Sequence, residues 1–447
     1  MLKRTLVLLL AVVTIIGMTA CGPAAQTKDS AGETQPKGEN VAITVWTFLD
    51  PTATDGRSKV LKEAMDMYEK AYPNVKVNVE PQQWDTMTAK FFAASQTKDA
   101  PDVIFVNGSD LGEAIKLGSL EPLENLFLKD WTQEQIEDID GPTFQYGATD
   151  KAHYQIHLFP NEHGLLYNAN YFKEKGIDPN FKSWDDLLKA AQALTYTDPK
   201  TGMKVSGIGT GYSEDGADFC YLLTAILTEY GDFIDEKGHA NWATDVGAKA
   251  LQFQIDLIDK YGVMPASSIS STSDEVYADF CAGKYAMIFG GSTRVDKVRS
   301  QVTFDPNDVG LMAYPDINGK VGKGIGSGWN VGVWSGSKHK EQAGKFVEML
   351  CSPEVDKLWV TEGGQVPLLK STLTTLGDAY FDLPEHKFLK VAADIKENHA
   401  LLYNANFATS GINADFVRAM QYAYVEKLSV EDALKKTADE FNERSGN

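Results

Sequence analysis

The sequence predicts an α/β protein of two lobes, each a doubly wound sheet with flanking helices, joined by about three hinge crossings. Length is the first observation behind this: 447 residues exceed what one hydrophobic core usually holds, since cores divide beyond about 250–300 residues. The second is the order of periodicities after residue 40, where short apolar alternation and helical spacing follow each other through brief turns, as in a parallel sheet. The third is a set of proline and glycine breaks near 158–164, 311–316 and 363–367, where the chain can pass between lobes.

Residues 41–46 read as a strand entering a buried sheet. Val60, Leu61, Ala64, Met67, Tyr68 and Ala71 recur at helical spacing over 56–72, and Pro73 stops that helix. Val75, Val77 and Val79 alternate as a second strand, 84–94 reads as a helix, and Pro101 and Asp102 open a third strand over 103–106. Residues 107–110 form a turn and cap for a helix that runs to Lys116 and ends at Gly118. Ligands of such sheets bind beyond the carboxyl ends of the strands, and those ends carry Trp46, Trp84, Asn107 and Asp110.

The stretch 158–168 is the crossing around which the chain is organised. Pro160 has no N–H to give a ladder, so a strand should break there; Gly164 allows a turn, and 165–167 can start a new buried strand. Asn161, Glu162 and His163 lie between the two breaks, and Glu162 has no evident folding role, which makes it the foremost candidate for a ligand contact. Further on, Ser183 caps a helix with Asp185 and Asp186 in its first turn. A strand is expected over 205–211 with Tyr212 after it, helices over 219–230, 246–261 and 276–282, and a buried strand over 284–291 ending in Gly290 and Gly291. A strand over 309–314 stops at Pro315, a glycine-rich segment at 324–334 holds Trp329 and Trp334, and a helix over 340–351 precedes Gln365 at the third break.

Composition eliminates partners. The formal charge of −20 repels nucleic acid and disfavours anionic lipid, whereas neutral or cationic small ligands remain compatible. Lys3 and Arg4, the apolar run 6–16, Thr19 and Ala20 read as a signal peptide over 1–20, too short in its apolar part to span a bilayer. Cys21 follows the small pair as in a bacterial lipobox, with Met18 where Leu is usual, and is the expected lipidation site; an ordinary secretory peptide is the rival. Residues 21–40 have the composition of a flexible tether. Cys220, Cys281 and Cys351 lack the spacing of a zinc site and read as buried thiols. His153, His157 and His163 have no H-E-x-x-H or cysteine partner, so no metal is expected. The glycine runs at 207–211 and 322–328 do not complete a nucleotide-binding loop, so ATP hydrolysis and any cofactor are not expected.

Ile43 to Trp46, Ala100 to Val103, Gly164 to Asn168, Ser183 to Leu187, Gly283 to Met287 and Gly363 to Pro367 occur in an order that resembles family 1 extracellular solute-binding lipoproteins of bacterial ABC importers, the maltodextrin-binding-protein-like class. The resemblance covers nearly everything after the tether. It implies a class II periplasmic-binding-protein-like fold, with lobe one at 41–158 and 316–363 and lobe two at 165–311 and 367–447. It further implies a monomer, lipid-anchored on the outer face of the membrane, that captures a sugar between the lobes and delivers it to an ABC permease.

On that reading Trp46, Trp84, Trp329 and Tyr212 are candidate stacking faces, with core packing as the rival role of each. Trp131, Trp184, Trp334 and Trp359 are assigned to core. Glu162, Asn107, Asp110 and Arg294 are candidates for sugar hydroxyls, a helix cap being the rival for Asp110, and Gln365 is a further one. Sugar-binding members often carry a tryptophan just past the glycine pair; here Gly291 is followed by Ser292, Thr293 and Arg294, so that wall offers a guanidinium fork instead. Alternatives are another solute, such as a polyamine or a peptide, and a secreted glycoside hydrolase, which would need two carboxylates flanking one bond.

Overall fold

The computed structural model describes residues 40–139, 144–145, 147–149, 151–213 and 220–446. The expected signal peptide, Cys21, the tether up to residue 39, and Phe219 at the head of one expected helix lie outside them.

The chain opens with β1 (Val41–Thr47), β2 (Val75–Pro81) and β3 (Val103–Asn107), separated by helices Gly56–Ala71 and Met87–Thr97. The first helix begins where the Asp55 carboxylate accepts the Ser58 N–H, and it buries Val60, Leu61, Ala64 and Tyr68, the stripe its spacing predicts. β4 (Gln155–Asn168) follows, then the short β5 (Tyr196–Thr197) and β6 (Lys204–Val205), β7 (Met287–Gly291), β8 (Val309–Met312), β9 (Gly324–Val333) and β10 (Ala400–Leu402). All but β5 and β6 belong to one sheet of order β2-β1-β3-β9-β4-β7, with β10 on β9 and β8 on β4.

β1 is parallel to β2 and β3, and β10 to β9; every other pairing in this sheet is antiparallel. The two lobes expected from the sequence share one mixed, continuous sheet. The cause is that β4 and β9 run through both halves: β4 pairs with β9 and then with β7 and β8, and β9 pairs with β3 at one end and β10 at the other. One core gathers Ile43, Leu61, Tyr68, Phe105, Phe159, Val331 and Trp359. A second gathers Leu165, Leu187, Trp242, Phe289, Ile325 and Phe416, and a third, beside it, Leu166, Phe280, Ile288 and Phe388. Along β4, Phe159 belongs to the first core and Leu165 to the second.

Pro160 does not break the strand. β4 pairs with β9 from Gln155 to Glu162, with a register irregularity between His157 and Phe159, then with β7 from His163 to Tyr167. A proline is tolerated where a bulge already disrupts the ladder. Its partner across the ladder is Gly328 at φ +136°, a conformation side-chain-bearing residues avoid. The return passage lies within β9: Ile317 and Ile325 pack in the second core and Val331 in the first, whereas the break at 311–316 was expected to mark it.

Other spans shift. The helix expected from residue 84 starts at Met87, which leaves Trp84 in the preceding loop. The strand expected over 205–211 pairs only at Lys204–Val205, then continues as single bridges from Ser206 to Tyr285 and Gly209 to Ile288. The strand expected from 284 begins at Met287. Trp184, Trp334 and Trp359 are core, but Trp131 is only partly buried and gives its indole N–H to Glu348 at 2.7 Å. Cys220, Cys281 and Cys351 are buried and form no disulfide among the described residues.

Candidate functional site

A groove of about 420 Å³ opens between the cores, where the carboxyl ends of β1, β2 and β3 face the segment after β7. Its first wall is Phe48, Arg57, Gln82, Gln83, Trp84 and Asn107. The second is Ser273, Asp274, Thr293, Arg294 and Lys297. The floor is the crossing itself: Asn161 from β4, and Ser327, Gly328 and Trp329 from β9.

Chain ends of strands make the first wall polar without costing core. Asn107 closes β3, and its carboxamide oxygen accepts the Ser109 N–H and hydroxyl, both at 3.1 Å. Its Nδ2 makes no hydrogen bond among the described residues. The Trp329 ring lies 4.8 Å from that of Phe48 at 44°, which fixes an aromatic surface at the floor. The Arg57 guanidinium stands 5.3 Å from the Phe48 ring centroid on the same wall.

Asn161 ties floor to second wall. Its Oδ1 accepts the Thr293 N–H at 3.1 Å and hydroxyl at 2.8 Å, while its Nδ2 donates to His163 Nε2 at 2.9 Å. Burial lowers the His163 pKa from 6.5 to about 3, so the ring is neutral at ordinary pH and accepts at Nε2. Arg294 pairs with Asp274 and lies over the Tyr277 ring at 4.7 Å. Burial works against the charged form of Asp274, but the Arg294 hydrogen bond and the charges of Arg294 and Lys297 outweigh it and hold the carboxyl below its usual range.

Of the residues singled out from sequence, the groove brings together Trp84, Asn107, Arg294 and Trp329. The others lie elsewhere. Trp46 sits beside Glu80 of β2 and donates its indole N–H to that carboxylate at 2.8 Å. Asp110 is raised in pKa by burial, against hydroxyls of Ser410, Thr88 and Ser109 that favour its charged form; its side chain caps no helix. Glu162 is fully buried, beneath the strand and beside Gly326. Tyr212 is in the second core, its phenol pushed well up in pKa by burial. Gln365 is buried and donates to the Gly363 carbonyl at 2.8 Å. Gly291 borders the groove without lining it; a Cβ there would lie 2.2 Å from Asn161 Oδ1, so its bareness keeps room for the Asn161–Thr293 bridge.

Arg57, Gln82, Gln83, Asn161, Ser273, Asp274, Thr293, Lys297 and Ser327 were not among the sequence candidates. For Asn161 a signal existed: side chains alternate along a strand, so Asn161 and Glu162 cannot face the same side. The others come from loops and helix starts that approach only in the fold.

The family model for bacterial extracellular solute-binding proteins matches residues 51–357. The arabinooligosaccharide-binding protein of Bacillus subtilis is 24% identical over 352 residues, 75% of each chain. The GacH receptor of Streptomyces glaucescens, solved unliganded and with acarbose, superposes with a TM-score of 0.76 at 21% identity over 92% of this chain and 100% of that one. An ABC transporter solute-binding protein of Thermotoga lettingae bound with α-D-tagatose gives 0.75 at 22% identity over 90% and 99%.

Proposed function

The chain belongs to the bacterial extracellular solute-binding protein family, and we propose that its solute is a carbohydrate held in the groove between the cores. The observation that carries this is the lining: indole faces of Trp84 and Trp329 stand among the side-chain amides of Gln82, Gln83, Asn107 and Asn161. A sugar ring has apolar C–H faces and a rim of hydroxyls, so it matches plates interleaved with amides. The volume falls within the roughly 300–1,000 Å³ usual for small-ligand sites. Relatives that take an arabino-oligosaccharide, acarbose and tagatose support the same class.

A ligand touching both walls stabilises the arrangement in which they approach, by the contacts it makes only there. Hinge closure of this kind is a standing example among periplasmic binding proteins. The closed form then docks on a membrane permease, and acylation of Cys21 holds the body at the membrane's outer face. A polyamine fits less well, since Arg57, Arg294 and Lys297 line the groove. Glycoside hydrolysis commonly uses two carboxylates, and among the described residues the lining offers Asp274, engaged by Arg294.

Calorimetry with a panel of neutral and acidic oligosaccharides beside spermidine tests the reading, with a reducing-end assay on the same samples. Binding of a glycan without release of reducing ends is expected. Binding of spermidine but no glycan, or release of reducing ends, would overturn it.

A further inference from the structure

The groove's charge runs against that of the chain. The protein carries −20 overall, yet among the described residues that line the groove three charged ones are cationic, Arg57, Arg294 and Lys297, and one is acidic, Asp274. Asp274 is taken by Arg294. Arg57 and Lys297 form no ion pair or side-chain hydrogen bond among the described residues. Asp55 and Asp296 act on Arg57 only through space, and the Asp55 carboxylate is occupied as the cap of its helix.

The two cationic sets come from opposite walls. Arg57 stands in the first turn of the helix Gly56–Ala71, whose apolar face packs in the first core. Arg294 and Lys297 precede and enter the helix Val295–Gln301, which packs in the third core through Val295 and Val298. Burial lowers the Arg57 pKa, and the positive charge of Arg294 across the groove acts in the same direction. Drawing the walls together on a neutral solute brings these like charges closer in a drying space, where repulsion grows. An anionic group between them turns that repulsion into two attractions, and a guanidinium fork matches the two oxygens of a carboxylate or sulfate.

Resting on the carbohydrate reading of the groove, we infer that the saccharide it takes is anionic, carrying a carboxylate or sulfate that bridges Arg57 on one wall to Arg294 and Lys297 on the other. Trp84 and Trp329 then hold ring faces, while the bridging anion supplies the contact made only when the walls approach. Tethering a basic groove in a strongly acidic surface also restricts where such a ligand is attracted.

The test is titration calorimetry of the full mature chain at low and at physiological salt. The probes are a galacturonic acid trimer, a sulfated disaccharide, a neutral galactose trimer and sodium sulfate. The acidic trimer or the sulfated sugar should bind at least about tenfold more tightly than the neutral trimer, with an affinity that falls as salt rises. Arg57→Gln should remove most of that preference, roughly tenfold to a hundredfold, while leaving the thermal midpoint near that of the parent. Which of the two acidic sugars binds identifies the anion. A neutral trimer that binds as tightly as the acidic one would overturn the inference and leave the carbohydrate reading standing. Sulfate ion binding more tightly than either acidic saccharide would overturn it as well, since the sugar would then add nothing to the anion, and binding of no saccharide at all would remove the carbohydrate reading with it.

Discussion

At the floor of the groove one carboxamide ties the crossing strand to the second wall. Asn161 anchors Thr293 through its oxygen and the His163 ring through its nitrogen, so the crossing strand, the second wall and the buried imidazole share one geometry. That geometry requires a neutral ring. The folded His163 pKa is depressed from 6.5 to about 3, so its contribution to stability is full above pH 6.5 and is lost as the pH falls towards 3. At about 1.4 kcal/mol per unit, His163 alone should cost about 3 kcal/mol between pH 7 and pH 4. Urea unfolding of the parent and of His163→Gln at both pH values checks this: the parent should lose more stability than the variant. Equal losses would mean the imidazole is not the group that titrates.

Among the elements, β4 and β9 decide the architecture. The length of the chain and its proline and glycine breaks made two halves legible in the sequence. The continuity of β4 was not legible. A proline argues against a strand on local grounds, and only the partner strand reveals the bulge and the left-handed Gly328 that accommodate it. Trp84 was legible as a rim residue because it follows β2, whereas Arg57 and Lys297 reach the groove from helix starts whose approach depends on packing far along the chain. Gly328 gives the element-scale test. A Cβ there would lie 2.0 Å from the Phe159 carbonyl oxygen, a backbone atom with no room to yield. Gly328→Ala should therefore lower stability by at least about 2 kcal/mol, read from the denaturant midpoint, and weaken ligand binding with it. Gly319→Ala, also at positive φ but with open space around it, should cost about 1 kcal/mol and leave binding alone.

For the molecule as a whole, the groove lies between separately packed cores. Its second half is fastened by Asp415, fully buried between Arg418 and Arg444, which joins the helices Ile412–Tyr424 and Val430–Ser445. β4 and β9 carry the chain between the cores, so a closure of the groove would bend them. X-ray scattering should show a smaller radius of gyration with a bound saccharide than without, and no change with one that fails to bind. The most direct measurement is the affinity of the best-binding glycan for the parent and for Trp329→Ala, by calorimetry. Removing the floor's indole should weaken binding at least about tenfold with the fold intact by circular dichroism. An unchanged affinity in a folded variant would contradict the placement of the sugar in this groove.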